Sequence, residues 1–582
     1  MRTRISTSHP RTSHPLRVTA LSIAAVSVGA VLAGCSSTSS RSSASSAFSA
    51  ANCKGGTLTV LEQGSLSEFD PARLYTSGGG QIPALFFRAL TTRDRVPGAA
   101  GDTVVPDLAT DTGEPSQNAT VWTYHLKPGL KYQDGTAITS ADIKYAVERT
   151  FDAQLAGGPP YLRDWLVGGD TYQGPYKDPK GLSSIETPDA DTIVFHLRKS
   201  EGGFPYLAAM TQFAPVPKAK DTGTQYADNP VSSGPYQFAG YTPKKQLELV
   251  RNKYWSASTD SQRLACPDKI DIQSGLDATV INQRLAAGVG ADKYAITTDT
   301  SIGPTQLAQL TGNKALASRV ITGAFAETVY LAFNTKKAPF DNQLVREALS
   351  YAVDRQAVVN AVGGSSLATA ATTFLPNQSA LGYHPYDYFP AGASGDAAKA
   401  KQILAQAGYP NGISVTLNYE NTDDDGDGPA VATALQAAYA QAGIHVKLAP
   451  TGTDSDAFRA VVGDTANEPG LSLNTWGADW PSGAPFLTPI FDGREIVQGG
   501  GNFNLAQYND AAVNARIDQI NQITDNTAAQ QQWGDLDAQL GKLALTVPLY
   551  FPKNLTLFGP GVKNVYLSEW RGTYDIAVVS VK

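Results

Sequence analysis

Apolar and polar positions recur along this chain with two periods, and the switch between them predicts an α/β architecture. The clearest case is the run LAFNTKKAPFDNQLVREALSYAVDR at 331–355. Residues 329–333 are continuously apolar, as in a strand buried on both faces, and the polar stretch 334–339, closed by a proline, ends the run. Beyond it, Val345, Ala348, Leu349, Ala352 and Val353 fall on one face at helical spacing. Asp341 is positioned to accept the free N–H groups of the first turn.

The same reading places strands at 57–61, 192–197 and 269–272 and an alternating strand from Trp122 closed by Pro128 and Gly129, with a helix-like apolar spacing through Ile82, Leu85, Phe86 and Leu90. A capped helix follows 135, with Thr139 and Asp142 as a capping-box-like pair and Ile143, Ala146, Val147 and Thr150 as its buried face. Ile413, Val415 and Leu417 mark a strand, 431–442 a helix ending at Gly443, and Ile444, Val446 and Leu448 a second strand. Two strands separated by one helix are expected to lie parallel, joined by a right-handed crossover. Helices are predicted around 513–524 and 533–543, followed by a β-rich tail.

Length and charge sharpen this picture. A chain of 582 residues is too long for one core, so two or three domains are expected. Its net charge of −7 offers no basic field for nucleic acid. Arg2, Arg4, Arg11 and Arg17 precede an apolar stretch at 18–33 that ends in Leu32, Ala33, Gly34 and Cys35, the order of a secretory leader. A small-residue pair directly before a cysteine resembles a bacterial lipobox, which implies lipidation of Cys35; an ordinary leader with an incidental cysteine is the alternative. Without the leader the chain holds 42 bases against 53 acids, so attachment to a membrane would rest on the lipid alone. The Ser-, Thr- and Ala-rich stretch after Cys35 reads as a flexible tether. Cys53 and Cys266 remain, an even pair in an oxidising compartment, each just ahead of a predicted strand. A disulfide between them is expected, two buried free thiols being the alternative.

Several motifs carry a family resemblance. AFNTKKAPFDNQLVREALSYAVDR at 332–355, WTYHLKPGLKYQDG at 122–135, FDP at 69–71, PVP at 215–217, SGPY at 233–236 and RNKYW at 251–255 occur in one order over nearly all of the mature chain. Together they resemble the family 5 extracytoplasmic solute-binding proteins, the peptide- and nickel-binding receptors of ABC importers. The resemblance implies a two-lobed, periplasmic-binding-protein-like α/β fold of the class II type, with an extra subdomain inserted in the first lobe. The expected division is a lipoprotein signal peptide at 1–34, a tether at 35–53, lobe I from 54–95, 205–328 and 555–582, the insertion at 96–204, and lobe II at 329–554. Two chain crossings, near 329–333 and 550–557, would make the hinge.

Catalytic constellations are missing from the sequence. The four body histidines, His125, His196, His384 and His445, have no metal-ligand spacing, and His125 and His196 read as hydrogen-bonded strand residues. No cofactor is implied. Gly78, Gly79 and Gly80 lack the Lys and Ser/Thr of a phosphate loop. In the acidic run 423–428, Asp423, Asp425, Asp427 and Gly428 fit a calcium loop, but its twelfth position is Ala434 where a bidentate Glu is required. The run then reads as a solvated turn capping the next helix.

The strongest ligand candidate is Thr475, Trp476, Gly477, Ala478, Asp479, Trp480 and Pro481, read as a loop broken by Gly and Pro. A carboxylate walled by indoles suits an ammonium group, because a charge-assisted bond and ring faces offset desolvation. In peptide-binding members of the resembled family, a matching Trp-x-Ala-Asp supplies the Asp that receives the peptide's α-ammonium, which maps to Asp479. The plain alternative is a turn-capping Asp between core indoles. By the same resemblance Ser65 and Leu66 form the facing wall. Those relatives carry an Arg three residues before the Trp, where this chain has Leu473. The expected protein is a monomeric, lipid-anchored receptor on the extracytoplasmic face of the cell membrane. It would deliver a small solute, a peptide first and otherwise an oligosaccharide or metal chelate, to an ABC permease and ATPase. A signalling lipoprotein of the same fold and a secreted hydrolase are the remaining readings.

Overall fold

The apolar runs pair into three main sheets in the computed structural model, which describes residues 53–75, 81–421 and 427–582. The leader, Cys35, most of the tether, Gly78 to Gly80 and Asp423 to Asp425 lie outside these residues. The first lobe is built on a five-stranded sheet ordered Ala295–Ile296, Thr57–Leu61, Lys269–Gln273, Gln246–Arg251 and Tyr236–Thr242. Thr57–Leu61 runs parallel to both neighbours and is covered on both faces, which is why Leu58, Val60 and Leu61 form a nearly continuous apolar run. Cys53 and Cys266 stand just ahead of two paired strands and are joined by a disulfide, with Cα atoms 4.5 Å apart.

The largest sheet, on which the second lobe is built, has its main strands ordered Val320–Ala324, Thr546–Leu557, Glu327–Phe333, Leu471–Gly477, Ile413–Glu420 and Ile444–Thr451, so it also takes in residues at the expected lobe boundaries. Ile413–Glu420 and Ile444–Thr451 are parallel and linked through the helix Asp427–Gln441, as their βαβ pattern predicts. Val329, Leu331 and Phe333 share a core with Val345, Ala348, Leu349 and Val353. Each Val, Leu or Phe side chain so withdrawn from water contributes about 1.5–3 kcal/mol, so this strand and helix organise the lobe. The cap differs from the sequence expectation. The Asp341 N–H is still held in the preceding turn by the Lys337 C=O, and Asn342, with extended backbone, caps Gln343–Ala352 by accepting from the Leu344 N–H.

A third, four-stranded antiparallel sheet, Glu114–Ser116, Val121–His125, Thr192–His196 and Ile185–Glu186, forms the insertion. It has its own core, in which Trp122, Tyr124, Phe195 and Phe204 pack together with Ile143 and Val147 of the helix Ser140–Arg149. Thr139 and Asp142 form the capping box at that helix's start. Its last residue, Arg149, is fully buried and reaches out of the insertion. The guanidinium forks onto both oxygens of Asp70 at 2.8 and 2.7 Å and also meets Asp221 at 3.1 Å.

The stretch from Ile82 to Leu90 is not the helix its spacing suggests. Only Pro83–Leu85 makes a 3-10 turn. The Phe86 C=O is taken by the N–H groups of Ser233 and Gly234, and the Arg88 N–H by the Ser233 hydroxyl, so the backbone is committed to the 232–234 turn. A Cβ on Gly234 would sit 2.8 Å from the Phe86 carbonyl carbon, which explains the glycine of SGPY.

Thr546–Leu557 is one long strand that serves two neighbours. Its first part pairs with Glu327–Phe333, across a register shift between Val329 and Tyr330, and its second part with Val320–Ala324. The segments expected to cross between the lobes, 329–333 and 550–557, lie in two of these strands.

Candidate functional site

Leu471–Gly477 lies antiparallel to the central strand Glu327–Phe333, with Trp476 opposite Thr328 and Gly477 opposite Glu327. Thr475, Trp476 and Gly477 are therefore the end of a strand rather than part of a loop, because their backbones are held by that ladder. The irregular segment begins at Ala478, whose N–H bonds the Ala326 C=O at 3.2 Å. Gly477 has no room for a side chain, since a Cβ would come 2.9 Å from the Glu327 Cγ. Asp479 is thus fixed at the carboxyl end of a strand buried in the second lobe.

Two phenols from outside that lobe converge on it. Tyr75, just after the 70–74 turn of the first lobe, donates to Asp479 Oδ2 at 2.8 Å. Tyr161, opening the helix Tyr161–Trp165 of the insertion, donates to the same oxygen. Burial pushes the Asp479 carboxyl above its ordinary range, opposed by the two phenol hydrogen bonds and by the charge of Arg571. Burial, with Asp479 alongside, raises both phenols too, so they remain protonated donors.

Trp480 is buried and meets Tyr161 edge to face, with ring centroids 4.9 Å apart, and Trp165 at 5.9 Å. Its indole N–H has no acceptor among the described residues. Trp476 plays a different part. Its N–H donates to the Pro485 C=O at 3.1 Å and its ring tilts against Phe503, so it braces the strand end within the second lobe.

Ser65 and Leu66 are not brought to the carboxylate by any hydrogen bond among the described residues. Ser65 is exposed, and the Leu66 C=O accepts from the Lys244 N–H and the Tyr241 hydroxyl. Tyr75 is the first-lobe residue that bonds Asp479. Leu473 packs into the apolar core opposite Leu331, well suited to its place on a strand between apolar neighbours. Tyr75, Tyr161 and Trp165 escaped the sequence reading. Tyr161 and Trp165 are four apart on a short helix, a visible aromatic pair, but their link to a residue 318 positions away carries no local signal.

His125 Nδ1 lies 3.2 Å from the Thr192 hydroxyl and His196 Nε2 2.9 Å from Glu186, both as strand hydrogen bonds. Among the described residues no group of three or more His, Cys, Asp or Glu is placed to hold a metal, and no helix is long and apolar enough to cross a membrane.

A half-buried carboxylate joined by phenols from the other parts of the molecule is the site's central feature, and comparison with known proteins shows the family. Residues 103–498 match the model of the bacterial extracellular solute-binding proteins, family 5 middle region. The chain is 28% identical over 506 residues to the heme-binding protein A of Haemophilus influenzae, covering 81% of this chain and 83% of that one. It is 26% identical over 490 residues to the glutathione-binding protein GsiB of Pectobacterium atrosepticum, covering 82% and 85%. Among solved structures, the clavulanic acid biosynthesis oligopeptide binding protein 2 superposes with a TM-score of 0.85 at 34% identity, over 90% of this chain and 95% of that one. The chain belongs to the bacterial extracellular solute-binding proteins, family 5.

Proposed function

We propose that this protein is a lipid-anchored extracytoplasmic receptor that closes its two lobes around a peptide and presents it to an ABC importer. The carrying observation is the convergence on Asp479 of Tyr75 from the first lobe and Tyr161 from the insertion. A carboxylate held in a low-dielectric site, with aromatic rings about it, binds an ammonium group through a charge-assisted bond that offsets its own desolvation. Clefts between lobes are the usual place for such pockets, and closure both buries the solute and builds the surface a permease can read. Oligopeptide and glutathione binding by relatives supports a peptide-like solute, and Leu473 argues against carboxylate recognition from that strand position. The Cys35 lipid and the Ser/Thr-rich tether would keep the body at the membrane without a protein span. The work is binding, with no bond made or broken.

The test is native mass spectrometry of the protein as purified and after incubation with a defined library of tri- and tetrapeptides, followed by calorimetry of the retained peptides. Binding of amino-terminally free peptides, lost on acetylating that amine and weakened at least tenfold in Asp479→Ala, is the expected result. Equal affinity for acetylated peptides, or for Asp479→Ala, removes this reading.

A further inference from the structure

The insertion also touches the second lobe through a turn without a side chain. Gly202 lies between the strand Thr192–His196 and the helix Phe204–Leu207. Its N–H donates to the C=O of Asn521 at 2.6 Å. Asn521 ends the helix Ala511–Asn521, where the last carbonyls have no partner within the helix. The insertion therefore satisfies a group the second lobe leaves open.

The approach is too close for any other residue. A Cβ on Gly202 would stand 2.0 Å from the Ile523 carbonyl oxygen, 2.6 Å from its carbon and 3.1 Å from the Thr524 nitrogen. These are backbone atoms and cannot swing aside. Gly202 is not among the glycines with positive φ, so its own backbone conformation does not call for glycine. The requirement comes only from the facing lobe. On one side of the turn Glu201 is anchored within the insertion by its N–H to the Ala119 C=O, and Asn118 reaches Gln522 at 3.4 Å. On the other side a Cβ on Gly203 would lie 4.0 Å from the Trp480 indole nitrogen, which ties the contact to the candidate site.

We propose that Gly202 is a closure-determining positioning residue, whose missing side chain lets the insertion dock backbone to backbone on the carboxyl end of the 511–521 helix. This rests on the reading of the protein as a receptor that closes. A side chain at 202 leaves each lobe intact and penalises only the state in which they meet, so it shifts the open–closed population and lowers apparent affinity by the same factor.

The experiment compares the full mature chain with Gly202→Ala and Gly202→Val, and with Gly500→Ala as a control at a glycine that has open space around it. Small-angle scattering and amide hydrogen exchange over 511–524 are read without added peptide, then with the tri- and tetrapeptide library. The expected result is a larger radius of gyration and faster exchange at 521–524 in both Gly202 variants, with a single cooperative melting transition retained. Peptide affinity should fall at least tenfold in Gly202→Val, while the control matches the parent. Gly202→Ala, the smaller change, keeps the test valid should the valine variant fold poorly. Scattering and exchange indistinguishable from the parent overturn the proposal. A library that fails to bind the parent overturns the peptide reading alone, since scattering and exchange judge the docking contact without it.

Discussion

The Tyr75 hydroxyl donates to Asp479 Oδ2 at 2.8 Å, a bond between residues 404 positions apart that joins the first lobe to the second. Tyr161 supplies a second bond to the same oxygen from the insertion. Both favour the ionised carboxylate against burial, which pushes its pKa up.

The sign of the consequence follows. An ammonium ligand needs Asp479 ionised, so affinity is full above the raised pKa and falls as pH drops through it. Tyr161→Phe removes one stabilising donor and raises that pKa further. Calorimetric titrations of a retained peptide from pH 4 to 8 should show the loss of affinity beginning at higher pH in Tyr161→Phe than in the parent. The more exposed Tyr75 should give a smaller shift in Tyr75→Phe. An unmoved pH profile would separate the two phenols from ligand recognition.

Fold and site were legible to different depths. The segment 329–353 could be read because strand and helix periods are local, and one buried face fixes each of them. The Thr139 and Asp142 capping box, the parallel pair around 427–441 and the placement of Cys53 and Cys266 before neighbouring strands are likewise short-range patterns. The stretch after Ile82 misled because its backbone groups are spent on a turn about 150 residues later, which no window of sequence contains. Asp479 stood out by its residue types. Its partners did not, since a phenol becomes a ligand to a carboxylate only through the path of the whole chain. Gly202 is invisible for the same reason: its glycine answers to Ile523, not to its own φ.

Glu201 gives the contact beside Gly202 a pH dependence. Burial lifts its carboxyl from 4.5 to about 8, with Lys199 opposing and Asp518 and Glu495 of the second lobe adding repulsion; Asp518 is itself paired with Arg494 at 2.6 Å. An acid whose native pKa is raised stabilises the native, docked state most fully below its unperturbed pKa. That stability declines between about pH 4.5 and 8, then levels off. Glu201→Gln, neutral and of similar shape, should remove the decline and raise stability at pH 8 by roughly 1–3 kcal/mol. Urea unfolding at pH 5 and pH 8 measures this, and parallel pH dependence in both proteins would place the proton elsewhere.

Arg149 should be the costliest single residue at the joint between the insertion and the first lobe. It is fully buried, and its removal leaves Asp70 and Asp221 buried without their cation. Breaking a buried pair from one side typically costs about 3–5 kcal/mol. Arg149→Met should lower the unfolding free energy by that amount, read as a lower denaturant midpoint at unchanged slope. Adding Asp70→Asn to it should recover part of the loss, because one stranded charge is then gone. Additive losses in the double variant would mean that the two residues act independently.

The Cys53–Cys266 bond closes a span of 213 residues between two neighbouring strands. A link over so long a loop restricts the unfolded chain, an effect of typically about 2–4 kcal/mol, while a strand start that is already paired gains little in the native state. Intact mass after alkylation of the unfolded, unreduced protein should show no modified thiol. The double variant Cys53→Ser, Cys266→Ser should unfold at lower denaturant yet retain the parent's peptide affinity, since neither cysteine lies near Asp479 in the sheet order. Two alkylated thiols in the parent would show that the pair is free, and the stability difference would then have to vanish as well.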